Sequence, residues 1–258
     1  MATLTSSQEL KPIGDGFGTK RFVGFEIETK RNEKALTEER MQIGEFKRLI
    51  DPRDKMVAMV GYDGGDVEVI TQPIEIERVP WDPDFNNLLM NINEYCLPVE
   101  TSGTHIHASI LPTDKKAMWK NLYWFSLVFD RQLYAIFRRT SHWARSPKEW
   151  WKSEKNQGEK LTLEEVMKRK YPIHGFKGTI IIRRQRTYEC RGGSASTSPA
   201  EIKAWGQLFA NIVEFCNQSN IVGHRFEEVI PSGEAGDIIR QRLNGEQLRQ
   251  IVPYYIYL

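Results

Sequence analysis

The stretch Thr187-Tyr-Glu-Cys-Arg-Gly-Gly-Ser-Ala-Ser196 decides how the rest of the chain reads. Thr187, Tyr188 and Cys190 favour a strand, and Gly192 and Gly193 are expected to end it. Alternate strand residues share a face, so Glu189 and Arg191 point one way and Tyr188 and Cys190 the other. An acid and a base on one side of an otherwise apolar strand point to chemistry rather than packing. The same i, i+2 polar pairing recurs in Glu26-Ile27-Glu28, in Asp66-Val67-Glu68 and in His105-Ile106-His107. Strands that each offer such a pair predict one sheet with a polar face.

Working outward, Arg21–Thr29 reads as a strand with Phe25 and Ile27 opposite Glu26 and Glu28. Residues 35–50 carry helical spacing (Leu36, Met41, Ile43, Phe46, Leu49, Ile50), stopped by Asp51-Pro52. Met56–Tyr62 and Asp66–Thr71 flank Asp63-Gly64-Gly65, which reads as a hairpin turn. A helix over 84–97, a strand over 103–110 and one long helix over 113–139 follow. A second hairpin spans 178–193, and a helix over 199–219 has Ser198 as its N-cap and Pro199 at its first position. A last helix covers Asp237 to Ile251. Mixed elements with prominent hairpins predict an α+β fold, an antiparallel sheet with helices packed on one face.

Residues 1–20, with Gly14, Gly16 and Gly18 alternating, read as a flexible N-terminal arm. They lack the Gly-Lys-Ser/Thr ending of a phosphate loop, and no strand precedes them. Residues 21–258 read as one domain, with 140–178 as a lid or insertion whose Trp143, Trp150, Trp151, Lys148, Lys152 and Lys155 either grip a ligand or tack the loop to the core. At 258 residues, 40% hydrophobic and 27% charged, the composition is that of an ordinary globular protein. A net charge of +2 gives no global electrostatic case for nucleic acid. No apolar run approaches the roughly 20 residues of a membrane span, and the leader has no signal-peptide core. Cys96, Cys190 and Cys216 are odd in number and form no CxxC pair, which points to a reducing, cytoplasmic setting and away from a zinc ribbon. Cys190 reads as a buried strand residue rather than a nucleophile.

Glu26 and Glu28 sit roughly 6.6 Å apart along their strand. They read either as a solvated strand face or as carboxylates sharing a cation. Two histidines on one face, His105 and His107, raise the metal reading over that of a core histidine. Glu68 is mid-strand between valines, whereas Asp63 also fits a plain turn residue. Glu189 and Arg191 read as a salt bridge or, with Arg183, Arg184 and Arg186 just upstream, as part of a phosphate-binding cluster. Carboxylate-rich oxygen donors suit Mg²⁺ or Mn²⁺ rather than zinc. The residues alone therefore indicate a metal–nucleotide site for phosphoryl transfer.

The ordered set Val23-Gly-Phe-Glu-Ile-Glu28, Tyr62-Asp-Gly-Gly-Asp-Val-Glu-Val-Ile-Thr-Gln-Pro73, Ser102-Gly-Thr-His-Ile-His107 and Thr187-Tyr-Glu-Cys-Arg-Gly-Gly193 resembles the amidoligase family of carboxylate–amine ligases. The resemblance covers residues 21–196 and implies a glutamine synthetase-like and glutamate–cysteine ligase-like catalytic domain. It implies ATP with Mg²⁺ or Mn²⁺, and an acyl phosphate that an amine converts to an amide. Carried over by position, Glu26, Glu28, Glu68 and Glu189 match the metal carboxylates, and Asp63 an acidic position beside them. One of the histidines would complete a metal site, here assigned to His105, and the other, His107, would touch phosphate or substrate. Arg191 matches the phosphate-binding arginine, assisted by Arg183, Arg184 or Arg186, with Arg184 and Arg186 favoured by alternation. Gly65 stands where the family has Ser, and Gln72-Pro73 where it has Ser-Pro, which touches the substrate pocket more than the phosphate chemistry. The implied partner is a small molecule, amino acid or peptide bearing a carboxylate and an amine, with no nucleic acid or membrane. Competing readings are a phosphotransferase of the same fold, a non-catalytic binding or virion-type module that keeps the fold, and a single-metal HxH oxygenase.

Overall fold

The computed structural model of the protein describes residues 21–34, 36, 42–63, 66–100, 102–109, 115–138, 181–183, 187–218 and 220–253. The expected N-terminal arm over 1–20, the expected lid or insertion over 140–178, and Arg184 and Arg186 lie outside them, as do the side chains of Asp63 and Arg183.

Among the described residues an eight-stranded antiparallel sheet forms the frame. Its strands are β1 (Phe22–Arg31), β2 (Val57–Asp63), β3 (Asp66–Thr71), β4 (Ile74–Glu75), β5 (Cys96–Leu97), β6 (Gly103–Ser109), β7 (Ile181–Arg183) and β8 (Tyr188–Ser194). The spatial order is β2-β3-β1-β6-β8-β7, with β4 and β5 also pairing with β1. Helices are α1 (Ile43–Ile50), α2 (Pro83–Tyr95), α3 (Lys115–Val128), α4 (Asp130–Phe137), α5 (Pro199–Cys216), α6 (Gly233–Arg240) and α7 (Gly245–Arg249). The α+β expectation holds. None of these helices is long and apolar enough to cross a membrane.

The period-2 pattern of β1 explains its central place. Val23, Phe25, Ile27 and Thr29 are buried on one side, while Gly24, Glu26 and Glu28 look out on the other. Where β1 changes partner from β3 to β4, the Thr71 hydroxyl accepts the Phe25 N–H at 2.9 Å and keeps that buried donor paired. The helices cover the apolar side. Phe85 of α2 stacks on Phe25 with ring centroids 5.4 Å apart. Helix α5 passes so close that a Cβ on Gly206 would lie 2.5 Å from the Phe25 ring, so only glycine fits there.

Local signals set the ends. Asp82 caps α2 by accepting from the Asp84 and Phe85 amides, with Pro83 at the first position. Ser198 and Pro199 start α5 in the same way. After α1, Asp51 accepts from the Met56 and Val57 amides at 2.7 Å each, which fixes the entry into β2.

Some elements differ from expectation. The long helix over 113–139 is two helices broken at Phe129, and the last helix is α6 and α7, separated at the Asn244 N-cap. α2 ends at Tyr95, because Cys96 and Leu97 pair with β1. β8 does not stop at its glycines. Gly193 pairs with Thr104, so closely that a Cβ there would lie 2.4 Å from the Thr104 carbonyl oxygen.

Candidate active site

The sheet register turns four separate sequence motifs into one cluster. Glu26 of β1 lies opposite His105 of β6, and His107 opposite Glu189 of β8. Glu28 lies opposite Glu68 of β3, which in turn faces Gly61 of β2. All of these side chains stand on the face away from the helices. Between the pairs Thr104–Gly193 and Ile106–Cys190 the register slips, so Arg191 and Gly192 together oppose His105. This β-bulge re-aims the β8 side chains beside the cluster.

His105 sits at its centre and is buried. Its Nδ1 is 3.1 Å from Glu26 Oε2 and 3.7 Å from Glu189 Oε1, and its Nε2 is 3.7 Å from Glu28 Oε1. His107 Nε2 is 2.9 Å from the other Glu26 oxygen, Oε1. Burial disfavours the charge on Glu26, but the hydrogen bond with His105 and the close approach of both imidazole rings outweigh it and hold the carboxyl far below the ordinary carboxylate range. Glu189 is fully buried, and Arg191 Nε lies 3.6 Å from its Oε1. A buried acid kept next to an imidazole and a guanidinium is costly as scaffold alone, which makes the spot the candidate site.

One group among the described residues has the spacing of a metal centre. A His105 nitrogen and one carboxylate oxygen each from Glu26 and Glu189 lie within 4.8 Å of one another. Two carboxylates and one imidazole, with Glu28 and Glu68 one cross-strand pair along, make a donor set dominated by hard oxygen. That fits Mg²⁺ or Mn²⁺.

Of the residues singled out in the sequence, Glu26, Glu28, Glu68, His105, His107, Glu189 and Arg191 share this sheet face. Asp63 pairs with Asp66 across the β2–β3 turn, so its backbone is where the hairpin expectation put it. His107, expected at phosphate or substrate, stands on the same face with its Nε2 2.9 Å from Glu26 Oε1. Cys190 is fully buried on the opposite face, opposite Ile106. Cys96 and Cys216 are also buried, with burial pushing the Cys96 thiol up to about 11 and that of Cys216 well above its usual value. Three supporting groups escaped the sequence reading. The Gly103 amide donates to Glu28 Oε2 at 2.7 Å, the Ser102 hydroxyl to Asp66 Oδ2 at 2.7 Å, and Thr187 Oγ1 lies 3.3 Å from His107 Nδ1. Their signal was positional: Ser102 and Gly103 immediately precede the His105 strand, and Thr187 is two residues before Glu189.

No protein-family model matches the chain, and no curated protein matches it. Among solved structures it is similar to one titled as the complex between prokaryotic ubiquitin-like protein Pup and its ligase PafA. The likeness has a TM-score of 0.36 at 12% identity, over 88% of this chain and 52% of that one. The chain thus spans about half the length of the chain it matches.

Proposed function

We propose that the protein is an ATP- and Mg²⁺- or Mn²⁺-dependent carboxylate–amine ligase, its domain glutamine synthetase-like. The observation that supports this most is the grouping of Glu26, His105 and Glu189 within 4.8 Å, bordered by Arg191, on the polar face of an antiparallel sheet. The motif order resembling the amidoligase family supplies the reaction class. Bound nucleotide and metal would supply the γ-phosphoryl group: a substrate carboxylate oxygen would take it with ADP leaving, giving an acyl phosphate, and an amine would then attack the acyl carbon, lose a proton and expel phosphate to leave the amide.

This chain's residues then divide the work. Glu26, Glu189 and His105 hold the cation, and Glu28 and Glu68 extend the oxygen donors towards β3. Arg191, raised by the bulge at the rim, neutralises charge on the transferring phosphoryl group, with Arg184 and Arg186 upstream assisting. Asp63, at the tip of the β2–β3 hairpin, takes the acidic role beside the metals. The substrate is a small molecule, amino acid or peptide carrying the two reacting groups, and the setting is cytoplasmic.

The test is nucleotide hydrolysis in the presence of Mg²⁺ with pooled amino acids and peptides, followed by mass spectrometry. The expected product is lighter by one water than the sum of two pool members, with phosphate released in equal amount. A stable phosphorylated product with no amide would instead establish the phosphotransferase alternative.

A further inference from the structure

We infer that Met59 and Ile70 are specificity-determining residues: they seat an apolar side chain of the substrate, so the reacting group belongs to an apolar amino acid or to a peptide bearing one. The register lays one row of side chains across the polar face. Met59 of β2 lies opposite Ile70 of β3, Ile70 opposite Glu26 of β1, and Glu26 opposite His105 of β6. Beyond His105 the row ends on β8 at the bulge that carries Arg191. Neighbours in such a row have Cβ atoms about 4.5–5.5 Å apart. The row is therefore ionic from Arg191 to Glu26 and apolar from Ile70 to Met59. Both apolar residues are half-buried. Neither belongs to the core or to the half-buried hydrophobics packed against it, because both stand on the face away from the helices.

The sheet leaves space beside them. Gly24 of β1 and Gly61 of β2 are diagonal neighbours of Ile70 on this face. Neither has a positive φ, and among the described residues a Cβ would come no nearer than 3.9 Å at Gly24 (to Thr71 Oγ1) and 3.7 Å at Gly61 (to Glu68 Oε2). The tight packing that demands glycine at 193 and 206 does not demand it here. A glycine inside a strand weakens it and commonly marks the close approach of a ligand. Met59 and Ile70 offer aliphatic surface two strand spacings wide, about 10 Å, which is the size of one side chain. Charge selects the same class. Glu26 and Glu68 border the shelf, so an acidic side chain is repelled there, and a cationic one competes with the metal for the same carboxylates. With the phosphoryl group at the Arg191 end and the cation between, the far half of the row is left to the other reactant. That assignment rests on the ligase reading; the shelf as an apolar seat does not.

The experiment observes the Met59 and Ile70 methyl groups of the whole chain by ¹³C NMR, assigned by their loss in Met59→Leu and Ile70→Val. Leucine, phenylalanine, aspartate and lysine, each free and in an alanyl dipeptide, are added one at a time with Mg²⁺, with and without ATP. The leucine and phenylalanine probes should shift both methyls, and the aspartate and lysine probes should leave them in place. In the double variant Met59→Ala, Ile70→Ala, calorimetry should find the leucine probe bound about 10- to 100-fold more weakly. The thermal stabilisation by Mn²⁺ should persist in that variant, whereas a merely structural role would lower both together. Methyls that respond to no apolar probe, or as strongly to aspartate or lysine, overturn the proposal. So does a response to ATP alone, which would make the shelf the nucleoside's seat, and so does equal binding of leucine by wild type and double variant. Methyl shifts with leucine but no nucleotide turnover would overturn the ligase reading and leave the apolar seat standing.

Discussion

Glu189→Gln separates a functional carboxylate from a structural one. In the metal-free protein Glu189 feels opposed forces. One of its oxygens and one of Glu26's lie within 4.8 Å, a repulsion of at least about 3.5 kcal/mol at an effective dielectric of about 20. Arg191 Nε at 3.6 Å returns an attraction of about 4.6 kcal/mol on the same scale. The difference is on the order of 1 kcal/mol, and it is set against the burial penalty of a carboxylate with no exposed surface. Glutamine keeps the shape and sheds that penalty, so the metal-free melting temperature should stay level or rise by a few degrees. The response to cation is the reverse. For the wild type, Mn²⁺ at about 100 times its dissociation constant adds about 2.7 kcal/mol. At about 2–4 °C per kcal/mol for a chain of this size, that is a rise of about 5–11 °C. Glu189→Gln should lose that rise. Differential scanning fluorimetry with and without Mn²⁺ reads both numbers in one plate. A variant that keeps the full Mn²⁺ shift refutes the metal role, and one that melts more than about 10 °C lower without metal shows the carboxylate to be scaffold.

Other expectations follow from the same geometry. Because the folded-state value of Glu26 is depressed, its charge contributes stability that is complete above the unfolded carboxylate value of about 4.3 and is lost as pH falls through the folded value. Urea midpoints of the metal-free wild type should therefore fall below about pH 4.3 by more than those of Glu26→Gln, and parallel curves would contradict the assignment. Gly193→Ala drives a Cβ to 2.4 Å from the Thr104 carbonyl and should cost about 1–3 kcal/mol in chemical denaturation; no loss would show that β8 shifts freely on β6. Gly206→Ala meets the Phe25 ring at 2.5 Å and should cost a similar amount without changing which cation binds. All three thiols are buried, so native protein should resist a thiol-reactive dye over the time in which urea-unfolded protein reacts completely, and fast labelling of Cys190 would reopen its case as a nucleophile.

The polar face was legible in the sequence because alternation is a local property. Glu26, His105 and Glu189 each sit between residues that must be buried, so each had one face left to occupy. Which of them meet was not local. It depends on register, and the slip opposite His105 that admits both Arg191 and Gly192 has no signature beyond the glycine pair, which reads equally as a strand end. The same ambiguity hid the break at Phe129: its apolar stripe continues through both α3 and α4, so periodicity alone joins them. Thr187 escaped because a threonine before a strand is ordinary β chemistry, and its 3.3 Å approach to His107 Nδ1 follows only from the β6–β8 register.

The close approach of β8 to β6 gives the cluster its sidedness. At Gly193 the backbones nearly touch, and three residues earlier Cys190 is packed among core residues opposite Ile106. Between these two fixed points β8 must hold one residue more than β6 does. Cys190 keeps the core side opposite Ile106, so the excess falls at Arg191 and Gly192, with Arg191 Nε 3.6 Å from Glu189 Oε1 on the polar side. The packing of Cys190 thus bears on where the bulge begins. On the proposed function, enlarging Cys190 should for that reason disturb nucleotide binding as well as stability. Cys190→Leu, read against Cys190→Ala, should lose nucleotide-dependent thermal stabilisation while the alanine variant keeps it, and equal behaviour of the two would show that Arg191 is placed by its own strand alone.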